Sequence, residues 1–97
     1  MENNKNIKEL KLYRCKDIKD YSIISKLDKL EILNLSNTNI SDISFLENNK
    51  NIKELKLEEC KHIKDYSFIS KLDKLEILDL RKTNISDISF FENNKKY

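Results

Sequence analysis

Ninety-seven residues carry 19 basic and 17 acidic side chains, so a chain that is 37% charged has a formal net charge of only +2. That balance excludes the one-signed field of a nucleic-acid arm or a membrane-surface patch, and no apolar run approaches the ~20 residues of a membrane span. Gly and Pro are both absent, which excludes a glycine-rich phosphate loop and leaves the turns to Asn, Asp and Ser.

Met1 to Lys8 contains no apolar core of signal-peptide length, so the expected location is the cytoplasm. After the polar lead-in from Glu2 to Asn6, Leu10-Lys-Leu12 alternates as a short half-buried strand does. Cys15 and Ile18 follow, and then Ile23, Ile24 and Leu27, three to four apart, predict a helical or 3₁₀ turn. Leu30, Leu33 and Leu35 open a second strand segment, continued by Thr38 and Ile40. Asp42 to Glu47 supplies its return, where Ser44 with Glu47 fits a capping box. Units opening at Ile52 and Leu75 repeat the scheme, with Ser89 and Glu92 as the second such box.

The repetition is the dominant signal. Residues 3–51 lie over residues 48–96 with 40 of 49 positions identical, and each 45-residue copy holds a weaker internal echo at 22 to 23 residues. Four units result, at about 7–29, 30–51, 52–74 and 75–97, making a single domain. Periods of this size mean a stacked solenoid in which each unit contacts its neighbours.

The run Leu30-x-x-Leu33-x-Leu35-x-x-Thr38-x-Ile40-x-Asp42-Ile43-x-x-Leu46 resembles the leucine-rich repeat in the form found in bacterial internalins. Cys15, Thr38, Cys60 and Thr83 stand where that family typically carries Asn, and Phe45 stands where it carries Pro. The resemblance spans Ile7 to about Phe91 without the family's signal peptide, capping domain or wall anchor. It implies an α/β leucine-rich-repeat solenoid of four repeats, with short parallel strands on a concave face and 3₁₀ or helical turns on the convex face. Leu10, Leu33, Leu55 and Leu78 would form one inward ladder, Leu12, Leu35, Leu57 and Leu80 another. Ile18, Ile40, Ile43, Ile63, Ile85 and Ile88 would close the convex side.

On that arrangement the outward concave positions of the first copy are Glu9, Lys11, Tyr13, Arg14, Ile32, Asn34, Ser36 and Asn37. Five of these eight differ between the copies, against four of the other 41 aligned positions. The changes are Tyr13/Glu58, Arg14/Glu59, Asn34/Asp79, Ser36/Arg81 and Asn37/Lys82, while convex Lys16, Lys19, Lys26, Asp28 and Lys29 recur unchanged. A concave surface tailored to one partner protein accounts for this pattern, and Tyr and Arg are enriched at binding hot spots. A recent duplication with few events is the plain alternative. Compensation between strands is another, since Glu58 beside Arg81, Glu59 beside Lys82 and Lys56 beside Asp79 pair opposite charges.

Other candidates carry no chemistry of their own. Cys15 and Cys60 sit two repeats apart, about twice the ~4.8 Å strand spacing and beyond disulfide reach, so both are expected as core thiols. His62 is the only histidine, too few for a zinc site or for a base beside Asp20-Tyr-Ser or Asp42-Ile-Ser, which fit turn and cap bonds better. No catalytic residue, metal or cofactor is expected. The expected function is non-enzymatic protein binding, in its sharpest form as a small inhibitor of a larger host or defence enzyme, of the anti-CRISPR type. Direct nucleic-acid binding through Arg14, Arg81 and Lys82, and an inert piece of a longer repeat array, are the alternatives. Neither end shows a cap in sequence: Phe90, Phe91 and Tyr97 would fold across the last repeat, or that face would pair with a twin chain.

Overall fold

The structure is a computed structural model and describes residues 6–86. Among these residues four three-residue strands, β1 (Glu9–Lys11), β2 (Ile32–Asn34), β3 (Glu54–Lys56) and β4 (Ile77–Asp79), form one parallel sheet in chain order. Between them run three 3₁₀ turns, η1 (Ser22–Lys26), η2 (Ser44–Asn48) and η3 (Ser67–Lys71). Each strand is one flank of a coil and each 3₁₀ turn is the other, so parallel pairing needs no long crossover helix.

The middle residue of every strand is the inward leucine, and the register stacks them: Leu10 on Leu33, Leu33 on Leu55, Leu55 on Leu78. Among the described residues seventeen apolar side chains are buried, including Leu33, Leu35, Leu55, Leu57, Ile40, Ile43 and Ile63. Burying one such side chain is worth roughly 1.5–3 kcal/mol, which lets three-residue strands persist. The same leucines in the outer coils, Leu10, Leu12, Leu78 and Leu80, are only half-buried, as are Ile18 and Ile85. A solenoid core is sealed along its axis by neighbours, so the outermost described coils carry less cover.

The expected capping box at Ser44 does not form. Ser44 is the first residue of η2, no side-chain cap bond is made, and Glu47 is exposed with a loose ion pair to Lys71. The cap comes instead from two residues earlier: Oδ1 of Asp20, Asp42 and Asp65 accepts the backbone N–H of Ser22, Ser44 and Ser67 at 2.9, 2.8 and 2.9 Å. A five-residue turn is too short to bring its fourth side chain back to its start, whereas an aspartate at that offset reaches directly. Each carboxyl is held below the ordinary aspartate value, chiefly by hydrogen bonds from the serine it caps.

Of the two cysteines expected in the core, only Cys60 is there. It is fully buried, while Cys15 is exposed. The phase is the same; the difference is that Cys60 has a coil on the side where its thiol points, donating to the Leu35 carbonyl oxygen at 3.0 Å. Ser89 and Glu92, Ile88, and the aromatics Phe90, Phe91 and Tyr97 lie outside the described residues.

Candidate functional site on the concave face

Residues flanking each inward leucine face outward, and the register lines them up in rows. Glu9, Ile32, Glu54 and Ile77 make the first row, and Lys11, Asn34, Lys56 and Asp79 the second. The ladder runs on beyond the strands. Leu12, Leu35 and Leu57 donate their N–H groups to Asn34, Lys56 and Asp79, and Arg14, Asn37 and Glu59 donate theirs to Ser36, Glu58 and Arg81, all at 2.7–2.9 Å. Two further rows follow: Tyr13, Ser36, Glu58, Arg81, and Arg14, Asn37, Glu59, Lys82.

The last row owes its position to backbone geometry. Arg14, Asn37, Glu59 and Lys82 have φ of 66°, 56°, 62° and 59°, the left-handed region that costs a residue with a Cβ roughly 1–2 kcal/mol. The expectation that Asn, Asp and Ser would make the turns therefore holds for Asn37 alone among these four. In a chain with no glycine, Arg, Glu and Lys occupy the other three. Asn and Asp act one step earlier, where Oδ1 of Asn34 and of Asp79 accepts the N–H of Ser36 and of Arg81 at 3.0 Å each. That bond turns the chain out of the strand, and the left-handed residue three positions after the Asn or Asp turns it back into the coil.

The rows enclose a shallow groove of about 420 Å³ lined by Tyr13, Arg14, Asn34, Ser36, Asn37, Lys56, Glu58, Glu59, Asp79 and Arg81. Nine of the ten residues singled out by the duplication lie in that lining. Lys82, the tenth, ends the last row but does not line the groove. Lys56 lines it and was not singled out, because Lys11 and Lys56 are the same residue in both copies. Its register position beside Asn34 and Asp79 was the signal that could have found it.

The two halves of the groove differ in chemistry. The first-copy half offers Tyr13, with 54% of its surface exposed, the amides of Asn34 and Asn37, the hydroxyl of Ser36 and the Arg14 cation. The second-copy half is an ion cluster. Arg81 grips Asp79 with Nε at 3.0 Å and Nη2 at 2.8 Å, and Nη2 lies 3.4 Å from Glu58 Oε1. The Arg81 hydrogen bond holds the Asp79 carboxyl below its ordinary value, and Lys56 adds to the effect; Asp79 in turn raises the Arg81 guanidinium. Arg14, Lys56 and Arg81 thus face Glu58, Glu59 and Asp79, three charges against three. Arg81 is engaged by two carboxylates, and a balanced groove has little to draw a polyanion.

Two larger hollows lie on the convex side, of about 560 and 700 Å³. They run from Ile18 to Asn48 and from Lys61 to Ser86, and they are the same hollow in the two copies. Of the residues lining them, only His62 differs from its counterpart in the other copy, Asp17, so size alone does not mark them as the diversified surface. Lys16, Lys19, Lys26, Asp28 and Lys29 are all exposed there. His62 is exposed on the segment between β3 and η3, and no group of three or more His, Cys, Asp or Glu among the described residues is placed to hold a metal. No helix among the described residues is long and apolar enough to cross a membrane.

With this geometry, comparison with known proteins is consistent. The family described as Leucine Rich repeats (2 copies) matches residues 5–48. Among solved structures, an internalin (inlF) from Listeria monocytogenes str. 4b F2365 is 32% identical with a TM-score of 0.72, over 78% of this chain and 22% of that one. Internalin C2 (inlC2) from the same organism is 27% identical with a TM-score of 0.70, over 81% of this chain and 34% of that one. The chain therefore spans well under half the length of either internalin. No curated protein matches it significantly by sequence.

Proposed function

Because the chain is a leucine-rich-repeat protein with repeats of the internalin type, we propose that it binds another protein through the concave groove between Tyr13 and Arg81. Leucine-rich-repeat domains are in general protein-binding modules. One observation carries the finer reading: between two near-identical copies, five of the nine changed pairs fall on the concave rows, and nine of those ten residues line a single groove. Surface drift alone would have touched the exposed convex lysines as readily. The four left-handed residues of this face support the reading too, since backbone strain is retained where a surface is in use.

Binding is the whole activity in this proposal, and blocking a larger enzyme of a host or of a defence system, as an anti-CRISPR factor does, is its concrete form. A groove of amides, a phenol and mutually paired charges is suited to holding a protein surface rather than to moving protons. The exposed free thiol of Cys15 supports a reducing compartment, the cytoplasm.

The test uses the copies against each other. In the variant Tyr13→Glu/Arg14→Glu/Asn34→Asp/Ser36→Arg/Asn37→Lys, every substitution installs the residue that the same backbone position already carries 45 residues later. Wild type and the convex variant Lys16→Glu/Lys19→Glu/Lys26→Glu should retain the same captured protein from the source cell or its host, and the concave variant should lose it. Purified chain should then inhibit the captured protein at one-to-one stoichiometry. Equal losses from both variants would sink concave-face binding; capture without inhibition would sink only the inhibitor form.

A further inference from the structure

The outer strands of the described sheet carry the same side chains as the inner pair with less cover. Leu33, Leu35, Leu55 and Leu57 are at most 1% exposed, whereas their counterparts Leu78, Leu80, Leu10 and Leu12 are half-buried. Cys60 is sealed and Cys15 is exposed. The duplication states what shape would cover them. The unit at 75–97 is a near-copy of the one at 30–51, and the unit at 7–29 is a near-copy of the one at 52–74. Over the described residues, the β2–β3 junction in the middle of the molecule is therefore a worked example of how the far side of β4 would receive β1; residues 3–7 of the incoming copy share the phase of residues 93–97, so only one of those two segments continues the coil. We propose that a second copy of this chain stacks end to end on the first, its β1 pairing in parallel with β4 as β3 pairs with β2.

Transferred to the stack, the internal register sets Leu10 of the next copy against Leu78 and its Lys11 against Asp79, as Leu55 lies against Leu33 and Lys56 against Asn34. In the internal junction Lys53 and Glu54 donate to the Glu31 carbonyl at 2.7 and 3.0 Å, and the Cys60 thiol donates to Leu35. The matching groups, the N–H of Lys8 and Glu9, the Glu76 carbonyl, the Cys15 thiol and the Leu80 carbonyl, are all present at the two ends. Charge favours the stack at two places. Lys8 meets Glu76, repeating the Lys53–Glu31 pair, and Lys11 meets Asp79 where the internal junction has the neutral Asn34. Arg14 meets Lys82 with like charge, but at the rim, where salt screens the repulsion.

Parallel edges without a partner among the described residues invite such pairing, and a contact between two different surfaces does not close on itself, so it builds rows rather than dimers. In a row the concave face is continuous, with Tyr13 of one copy following Arg81 of another. The contact touches the groove only at its two ends, at Asp79 and Arg14, and groove binding does not require it, so its failure would not touch the proposed groove binding.

The internal junction also supplies the test. Thr38 Oγ1 lies 3.8 Å from Cys60 Sγ, so in the stack Thr83 falls beside Cys15 of the next copy. Cysteine already occupies this phase at 15 and 60, so Thr83→Cys keeps the fold. Under mild oxidation this variant should form a ladder of disulfide-linked multiples that collapses in reductant. Ser86→Cys should not, because the junction places Ser41 beside Lys64 and hence Ser86 beside Lys19, away from Cys15. In sedimentation the wild-type chain should show an average mass that climbs with concentration past the dimer. A constant monomer mass, a plateau at the dimer, or a Thr83→Cys ladder no stronger than that of Ser86→Cys would each overturn the stack.

Discussion

Glu58 Oε1 stands 3.4 Å from Nη2 of Arg81 on the neighbouring coil, and the same guanidinium forks onto Asp79. In the first copy these three positions are Tyr13, Ser36 and Asn34. Three of the changes between the copies thus form one cluster, and none of the three makes sense alone: Arg81 without acids would be a loose cation, and Glu58 and Asp79 without Arg81 would repel. Charge compensation and partner fitting are therefore not rivals here. The three fit one another as a set, and Tyr13 and Arg14 belong to the half of the groove without such a cluster.

Arg81→Ser should lower stability modestly, and Arg81→Ser/Asp79→Asn should lose less than the sum of its parts. Both carboxylates lose their shared partner in the first variant, and only one remains in the second. Urea midpoints measure this. At 1 M salt, where the Debye length is ~3 Å, the difference should shrink; additive and salt-independent losses would mean the cluster carries no coupling.

Asn49 is fully buried at a phase where the flanking repeats have Leu27 and Leu72. Its Nδ2 donates to the carbonyls of Ile24 and Leu27 at 2.9 and 3.1 Å, tying the end of η1 to the next coil. Asn49→Ala should cost about 1–3 kcal/mol in unfolding free energy. Asn49→Asp should cost more at pH 7, because a carboxylate cannot donate and its charge would be sealed from water, and part of the loss should return at pH 4. Equal stability of the two variants at pH 7 would show that the amide is not the tie.

Acid should unfold the chain through its turns. Asp20, Asp42, Asp65 and Asp79 all titrate below their ordinary value of 3.8 in the fold. A group with a depressed folded value contributes stability above its unfolded value, and that stability is lost as pH falls through the folded one. Unfolding free energy should therefore be flat from neutral pH to about 4 and fall below that. Asp20→Asn/Asp42→Asn/Asp65→Asn keeps the acceptor oxygen of each cap without the titration, and its stability should fall less steeply in acid.

Glu59 pays for its left-handed backbone, φ 62°, with a Cβ in a crowded place. Glu59→Gly should raise stability by up to about 1 kcal/mol, the steric relief of 1–2 kcal/mol being partly offset by the entropy glycine loses on folding. That is a rise in Tm of roughly 4–8 °C for each kcal/mol in a domain this small. Asn37→Val should move Tm the other way, since a β-branched residue tolerates this region least. If Glu59→Gly also weakens capture of the partner, the strained side chain is a contact as well as a turn.

Much of the architecture is legible in the sequence. Leu33 on Leu55 and Leu35 beside Leu57 follow from spacing, because coils of equal length stacked on their neighbours must align equal phases. Nine of the ten residues lining the groove followed from comparing the two copies, for the same reason. What escaped that comparison shows its limits. Lys56 is invariant between copies and so was silent, and Lys82 shares the phase of Asn37 yet lies beyond the groove lining. Ser44 matched a capping pattern, but its aspartate two residues earlier held the better geometry. Cys15 and Cys60 share a phase and differ in burial.

By itself the order of residues determined the period, the inward leucines and the face on which the copies diverged, all of which are one-dimensional facts that a solenoid converts directly into rows. Only the tertiary structure decided which charges meet, which backbone positions are left-handed, which polar group is sealed inside and which coil has a neighbour above it. Those depend on side-chain reach and on cover from an adjacent coil, and neither is a function of phase.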